Sequence, residues 1–149
     1  MNLKNSIITV LSAAALIIGG SSTALAQTCR VKVGVSPSGT VCYKEVYQYD
    51  FVQEKPSFPG GDSKLVEFIN STRRYPSRAY SKGVQGKVTC SFVVEANGEV
   101  EHVKVIRSVD RDLDKEAVRV LSAMPAWIPG RLDGIPVPVN VIWSVPFRK

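Results

Sequence analysis

The clearest alternation of apolar and polar residues predicts a β-hairpin in the second half of the chain. Every second residue of its first strand is apolar: Val88, Cys90, Phe92 and Val94. Such a period of two is typical of a strand with one buried face. The Asn97-Gly98 pair that follows is a strong signal for a tight hairpin turn. With these two residues as the loop, Cys90 lies opposite Val105, and the apolar residues of both strands share one face.

A helix and a further strand follow the hairpin. The helix is indicated by apolar residues at helical spacing: Leu113, Ala117, Val120, Leu121 and Met124. Asp110 or Asp112 can cap its start, and Pro125 ends it. Beyond a loop, the last strand is predicted from Val137 to Phe147, where every second residue is again apolar.

Two shorter helices are expected before the hairpin. Asp62 is a candidate N-cap for the first helix. The apolar residues of this helix fall on one face: Leu65, Phe68 and Ile69. The second helix is expected between Pro76, in its first turn, and Gly83, which stops it.

The order of these elements predicts the architecture. A hairpin, a helix and a strand form a β-β-α-β unit, and a right-handed crossover places the last strand beside the first strand of the hairpin, antiparallel to it. We therefore expect an α+β fold with a three-stranded antiparallel sheet of strand order 2-1-3 and with helices on one face. In this arrangement the last strand is an open edge.

The N-terminal residues have the three parts of a secretory signal. Lys4 precedes an apolar run from Ile7 to Gly20, and an A-x-A cleavage sequence follows at residues 24–26. Residues 1–26 are therefore predicted to be a signal peptide, which implies export to an oxidising compartment. The alternative is an uncleaved anchor, because about 20 apolar residues can span a bilayer.

The rest of the chain divides into an arm and a domain. A run of turn-forming residues from Pro56 to Gly61 separates the arm, residues 27–57, from the domain, residues 58–149. The chain is 44% apolar with a formal net charge of +6, which becomes +5 without the single lysine of the signal. This composition predicts a folded domain and not a disordered chain.

The arm contains two of the three cysteines and a possible hairpin. If its turn is centred on Pro37-Ser38, Cys42 lies opposite Val33, and Cys29 is about 13 Å further along the strand. That separation exceeds the limit of roughly 7 Å between the Cα atoms of a disulfide. Two alternatives stay open, an irregular hairpin with a Cys29–Cys42 disulfide or two unpaired thiols.

A basic run without an intervening acid precedes the predicted β-hairpin. It consists of Arg73, Arg74, Arg78, Lys82 and Lys87. A nucleic-acid surface can look like this, but an exported protein does not meet nucleic acid. We expect a solvated surface and no nucleic-acid partner, with acidic peptides or lipid headgroups as the alternative ligands.

No group of residues points to catalysis, to a metal or to a cofactor. His102 is the only histidine, and the expected register places it opposite Val93 on the face away from Cys90, which excludes a Cys-His dyad. One histidine and three scattered cysteines offer no ligand spacing for a metal. The acids at residues 110–116 suit a helix N-terminus better than a calcium loop. We expect a protein that is not an enzyme.

The last strand carries the best candidate for a binding site. Pro138 and Pro146 are an even number of residues apart, so both missing N–H groups lie on the same side of the strand. That side should be unpaired, because a hydrogen-bonded ladder avoids proline. An extended peptide could pair with the residues between them, which are Val139, Asn140, Val141, Ile142, Trp143 and Ser144. Protection of the edge against aggregation explains the two prolines equally well.

Short motifs in a fixed order extend over about residues 56–148. They include Phe58-Pro-Gly-Gly61, Tyr75-Pro76, Gly83-Val-Gln-Gly86-Lys-Val88, Leu113-Asp114-x-Glu116-Ala117, Met124-Pro-x-Trp127-x-Pro-Gly130, Gly134-x-Pro136-Val137 and Val145-Pro-Phe147. Together they resemble the C-terminal domain of the TonB family.

This resemblance implies a periplasmic α+β domain with a three-stranded antiparallel sheet. It implies that the domain grips the TonB box, an extended segment of outer-membrane TonB-dependent receptors, by adding it to the last strand. It also implies an energy supply from an inner-membrane motor complex, through an N-terminal anchor and a long Pro-rich spacer. The sequence differs from that pattern in the arm, which contains only Pro37 and Pro56, and no histidine precedes His102.

Three functions are compatible with these observations. The first is a periplasmic module that binds receptor peptides by β-augmentation. The second is a membrane-anchored energy transducer on the periplasmic side of the inner membrane, if residues 7–26 are retained as an anchor. The third is a self-associating envelope domain, whose open edges pair in a homodimer.

Overall fold

The computed structural model describes residues 28–149, and the expected signal peptide lies outside this range. Two hairpins and the last strand form the main sheet: β1 (Thr28–Val35), β2 (Val41–Gln48), β3 (Gly86–Val94), β4 (Val100–Arg107) and β7 (Val139–Phe147). The helices are α1 (Asp62–Thr72), α2 (Ser77–Ser81) and α3 (Arg111–Ser122). A 3-10 turn at Tyr49–Phe51 follows β2, and a small hairpin of β5 (Arg131–Leu132) and β6 (Ile135–Pro136) precedes β7. None of the helices between residues 28 and 149 is long and apolar enough to cross a membrane.

The main sheet has five strands in the order β1-β2-β7-β3-β4. β3 is antiparallel to both β4 and β7, whereas β2 is parallel to β7 through only two residue pairs, Tyr47 with Val139 and Gln48 with Asn140. The α+β class is confirmed, and β4, β3 and β7 lie side by side in the expected order 2-1-3. The expectation that these three strands form the whole sheet, and that the sheet is wholly antiparallel, is wrong. The arm supplies two more strands and makes the sheet mixed.

The arm joins the sheet because it has apolar residues to bury. Val46 on β2 is fully buried, and Val52, just after the 3-10 turn, is 3% exposed within the main core. Removal of such side chains from water contributes roughly 1.5–3 kcal/mol each. The two residue pairs between β2 and β7 are thus supported by a buried valine before them in the chain, Val46, and another after them, Val52.

The β3–β4 turn has a three-residue loop and not the two-residue loop expected. The N–H of Glu95 donates to the carbonyl of Glu99, and the N–H of Gly98 donates to the carbonyl of Glu95, both at 2.8 Å. Gly98 has a φ of 88°, the left-handed conformation that such a loop requires. The longer loop shifts the first residue pairs of the hairpin by one position.

An irregularity at His102 restores the predicted register of the β3–β4 hairpin. Val93 pairs with Glu101 and not with His102, whereas Cys90 pairs with Val105 as predicted. His102 is the extra residue between these two registers and has a φ of 54°. It is therefore a β-bulge, which bends the strand and redirects its own side chain.

The helices begin and end close to the predicted positions. Asp110 caps α3, because its carboxylate accepts the N–H of Asp112 at 2.9 Å. Asp62 lies in the first turn of α1, and the N-cap position belongs to Gly61. The predicted apolar residues of α3 are buried as expected: Leu113, Ala117, Val120, Leu121 and Met124.

The core lies on the face of the sheet that the helices cover. β3 and β7 contribute alternate residues to it, among them Phe92, Val141 and Phe147, and the aromatic residues Phe58 and Trp127 close it at one end. The rings of Phe58 and Phe92 contact the indole of Trp127 at centroid distances of 5.8 and 5.4 Å. This edge-to-face packing fixes the indole in one orientation.

The opposite face of the sheet is partly closed by the sheet itself. Residues of β1, such as Val31 and Lys32, and residues of β4, such as Lys104 and Ile106, line the same cavity of about 420 Å³. β1 and β4 are the two outer strands, so the sheet curls until its own edges face each other.

The three cysteines are free thiols. In the β1–β2 hairpin Cys29 pairs with Val46 and Cys42 with Gly34, and the register is irregular between Lys32 and Gly34. Cys42 lies four residues from Val46 on the same strand, about 13 Å away. Of the two alternatives left open by the sequence, the structure therefore has the unpaired thiols.

Candidate functional site: the part-open edge of β7

β7 is covered on one side by β3 and only at its start by β2. The carbonyl of Pro138 accepts the N–H of Tyr47 at 2.9 Å, so residues of the same parity as Pro138 direct their backbone groups away from β3. β2 then ends at Gln48, and the 3-10 turn leads the chain away. Among the described residues, no strand pairs with this side of β7 beyond Asn140.

The predicted binding edge is therefore shorter than expected. Val139 and Asn140 are paired with β2, which excludes them from an open edge. The remaining part runs from Val141 to Phe147, and Ile142 and Ser144 direct their N–H and C=O groups to the open side. Pro146 lies at its end, so the edge is framed by a proline at one end and by β2 at the other.

A groove follows this open edge. Its first part, of about 580 Å³, is lined by residues 140–143 of β7, by Tyr49 and Asp50 of the 3-10 turn, by Asp62 of α1 and by Trp127. Its second part, of about 160 Å³, is lined by Val66 and Asn70 of α1, by Lys87 of β3, and by Ser144 and Pro146. Trp143 lines both parts. We call the two parts together the edge groove.

α1 forms the long wall of the edge groove. Its first residue, Asp62, touches the first part, and its third turn, at Asn70, touches the second part, so the helix runs alongside the open edge of β7. Leu65 and Ile69 are buried and hold the helix on the core, which leaves Val66, 47% exposed, facing the groove and solvent. Helical spacing therefore gives α1 one buried side and one groove side.

Trp127 reaches the edge groove from a loop fixed by the β3–β4 turn. Its backbone N–H donates to the carbonyl of Gly98 at 2.8 Å. A Cβ atom at Gly98 would lie 2.2 Å from the carbonyl oxygen of Trp127, so only glycine fits there. The hairpin turn thus sets the position of one wall of the groove.

Aromatic and basic side chains cluster where β7 ends. The guanidinium of Arg73 lies 5.5 Å from the centroid of the Phe147 ring, and the ammonium of Lys149 lies 4.4 Å from that of Tyr80. Part of the basic run is therefore stacked on aromatic rings and not simply solvated.

A second group of polar side chains lies at the other end of the hairpins. Ligand atoms of Glu95, Glu101 and His102 are within 4.8 Å of one another, a grouping that the sequence spacing did not indicate because it depends on the bulge at His102. The ammonium of Lys44 on β2 donates to the carboxylate of Glu95, which is only 12% exposed. Since Lys44 already neutralises this carboxylate, we interpret the group as a structural ion pair that links β2 to the β3–β4 hairpin.

Cys90 is not suited to nucleophilic chemistry. Burial, together with the smaller effect of the nearby carboxylate of Asp114, raises the pKa of its thiol to about 11. At neutral pH the side chain is a protonated, fully buried part of the core.

The fold and the edge groove define a small α+β domain with a partly unpaired strand beside a helix. The chain belongs to the TonB C-terminal family, since the family described as "Gram-negative bacterial TonB protein C-terminal" matches residues 71–148, more than half of the 149 residues.

Similar proteins and structures carry the same family name. Protein TonB of Haemophilus influenzae is 41% identical over 78 residues, which is 48% of this chain and 29% of that protein. Protein TonB of Helicobacter pylori is 28% identical over 83 residues, 55% of this chain and 29% of that protein. This chain therefore matches less than a third of the length of these relatives. An NMR structure of the Helicobacter pylori TonB C-terminal domain is 24% identical, with a TM-score of 0.41 over 55% of this chain and 88% of that one.

Proposed function

We propose that this chain binds an extended peptide along the open part of β7 by β-augmentation. The observation that carries the proposal is the direction of the backbone groups of Ile142 and Ser144, which point away from β3 into the edge groove. Seven residues, Val141–Phe147, offer about 20 Å of strand. A peptide there would complete the hydrogen bonds that β2 leaves open and would place alternate side chains against α1 and the two tryptophans.

Membership of the TonB family supports the choice of partner. The proposed peptide is a segment of an outer-membrane TonB-dependent receptor, and the proposed location is the periplasm. Transfer of energy to such a receptor is part of the same proposal, and it requires that residues 7–26 are retained as an anchor or that another protein supplies the link to the inner membrane. N-terminal sequencing of the native protein after membrane fractionation distinguishes these cases, because a soluble protein beginning at Gln27 excludes the anchored form.

The binding mode is tested with N-methylated peptides. The probes are ten-residue peptides from the N-terminal segments of TonB-dependent receptors of the same genome, titrated into ¹⁵N-labelled protein. We expect the largest amide shifts from Val141 to Ser144. Of two isomers of a binding peptide, N-methylated at odd or at even positions, one should lose binding because it lacks the donors that face β7, and the other should keep it.

Ile142→Pro provides the matching change in the protein. It removes one outward N–H at a position of the same parity as Pro138 and Pro146, so the sheet should tolerate it while peptide binding weakens. If both methylated isomers bind equally well, and Ile142→Pro binds as the unmodified protein does, the peptide does not pair with β7 and the proposal is wrong.

A further inference from the structure

We infer that the edge groove has one acidic and one basic end, and that it selects a strand with a basic side chain at its Asp62 end and an acidic side chain, five residues away, at its Lys87 end. This inference rests on the proposed function and names the chemistry of the peptide that fits the groove. It follows from the charges that line the two parts of the groove, from their spacing and from the position of Trp143 between them.

The first part of the groove is acidic. Asp50 and Asp62 line it, and no lysine, arginine or histidine does. Both carboxylates are exposed, and neither forms an ion pair within residues 28–149. The nearby Lys55 donates to the carbonyl of Tyr49 at 2.6 Å and lies over its ring, outside the groove lining.

The second part of the groove is basic. Lys87 is its only charged lining residue, is exposed, and has no ion-pair partner in the described part of the chain. The guanidinium of Arg73 on the Phe147 ring and the side chain of Arg148 add positive charge at this end of β7. The two charges of α1 that lie between the ends, Lys64 and Glu67, form an ion pair at 2.7 Å and largely cancel.

The spacing of the two ends fixes the spacing on the peptide. Lys87 pairs with Pro146, whereas the acidic end contacts residues 140–143. Four to five strand residues correspond to about 13–17 Å. Trp143 pairs with the buried Cys90 and so lies on the face that α1 covers, whereas Lys87 and Pro146 lie on the opposite face. Side chains an odd number of residues apart point to opposite faces of a strand, so a charged pair at positions i and i+5 reaches both ends. The residue at i+2 then meets Trp143, which lines both parts and favours an apolar or aromatic side chain.

The test uses four peptides that differ only in two charges. They share a Thr- and Val-rich sequence of nine residues and carry Lys and Glu, Lys and Lys, Glu and Glu, or Thr and Thr at i and i+5. An exposed ion pair changes affinity by about two- to fivefold. We expect the Lys/Glu peptide to bind about two- to fivefold more tightly than either singly signed peptide, and the difference to shrink in 0.5 M salt because exposed charges are screened.

Substitutions that change the charge of the groove should change the order of affinity of the four peptides. Lys87→Glu makes both ends acidic, so the Lys/Lys peptide should become the tightest ligand. Asp62→Asn, which keeps a polar residue in the first turn of α1, should move the preference towards the Glu/Glu peptide. Lys115→Glu on the exposed surface of α3 has the same effect on net charge as Lys87→Glu and should leave the order unchanged.

A spin label on the peptide shows independently which end of the edge groove the lysine of the peptide occupies. A nitroxide beside the lysine of the Lys/Glu peptide should broaden the amide signal of Asp62 more than that of Lys87. This comparison holds for a peptide parallel or antiparallel to β7.

The outcomes separate this inference from the proposed function. If the Thr/Thr peptide and the charged peptides all bind equally, and Lys87→Glu reorders nothing, β-augmentation stands and the charge selection by the groove is refuted. If none of the four peptides shifts the amides of Val141–Ser144, the edge does not accept a strand, and both are refuted.

Discussion

Replacement of Gly98 by alanine should destabilise the protein far more than the same replacement at Gly39. Both glycines close hairpin turns at nearly the same left-handed φ, 88° and 83°. A Cβ atom at Gly39 would meet nothing within 4 Å, whereas at Gly98 it would lie 2.2 Å from the carbonyl oxygen of Trp127. The two substitutions therefore share the cost of the conformation and differ only in the contact.

The magnitude of each effect can be worked from these contacts. A non-glycine residue at this φ costs about 1–2 kcal/mol, which should be the whole effect of Gly39→Ala. Gly98→Ala must also move the backbone of Trp127, which loses the hydrogen bond to Gly98, worth about 1 kcal/mol, and part of the packing of a side chain that is 6% exposed. We expect a total loss of about 3–5 kcal/mol, a large part of the stability of a domain this size.

Urea unfolding followed by circular dichroism measures both variants against the unmodified protein. Because Trp127 lines the edge groove, folded Gly98→Ala should also bind peptide more weakly, while Gly39→Ala should not. Unfolding free energies of the two variants that agree within about 0.5 kcal/mol would refute the role assigned to this contact.

Three further predictions concern the sheet, the thiols and an ion pair. Trp143→Pro should lower the unfolding free energy by about 1–3 kcal/mol, because it removes a donor facing β3 and leaves a β3 carbonyl without its partner. Ile142→Pro should leave the unfolding free energy nearly unchanged, and equal losses would contradict the parity of β7. Ellman's reagent should modify the exposed Cys42 fastest in the folded protein, the half-buried Cys29 more slowly because burial raises the pKa of its thiol, and Cys90 only after unfolding. A native protein with no reactive thiol would contradict the unpaired arm cysteines. The Arg119 side chain, with the N–H of Arg74, lowers the pKa of Glu116. This interaction therefore stabilises the protein above the unfolded pKa of the carboxyl, and the stabilisation is lost as the pH falls through the folded pKa. Glu116→Gln should cost about 1 kcal/mol at pH 7 and remove this pH dependence, which is checked by measuring the unfolding free energy as a function of acidic pH.

The elements whose boundaries and faces could be predicted are those with a strong periodic pattern. The residues of α3 and the alternating residues of β3 and β7 each bury one face, and this requirement appears directly in the sequence as a period of 3.6 or of two. The same requirement fixes the pairing of Cys90 with Val105, which is correct in the structure. The local pattern of apolar residues was therefore sufficient to predict which faces of α3, β3 and β7 form the core.

The errors come from interactions that local pattern does not contain. The Asn97-Gly98 pair suits a two-residue loop, but the contact of Gly98 with Trp127, 29 residues away in sequence, belongs to a three-residue loop, and the bulge at His102 restores the register. The parallel pairing of β2 with β7 depends on burial of Val46, an interaction between segments more than 90 residues apart.

The binding edge was only partly predictable for the same reason. The parity of Pro138 and Pro146 identified the side of β7, but not how far β2 extends along it. The edge groove combines the 3-10 turn, α1, β3, the Trp127 loop and β7, which are spread over the chain from Tyr49 to Pro146 and meet only in the folded protein.

The short pairing of β2 with β7 has a mechanical consequence. Thr28 pairs with Tyr47, and Tyr47 pairs with Val139, so the described chain begins only two strands from the edge groove. Tension between Thr28 and a ligand held on β7 would load the two β2–β7 residue pairs before it loaded the nine pairs between β3 and β7. The arm would therefore separate from β7 first and extend, while β7 stayed paired with β3 in the core.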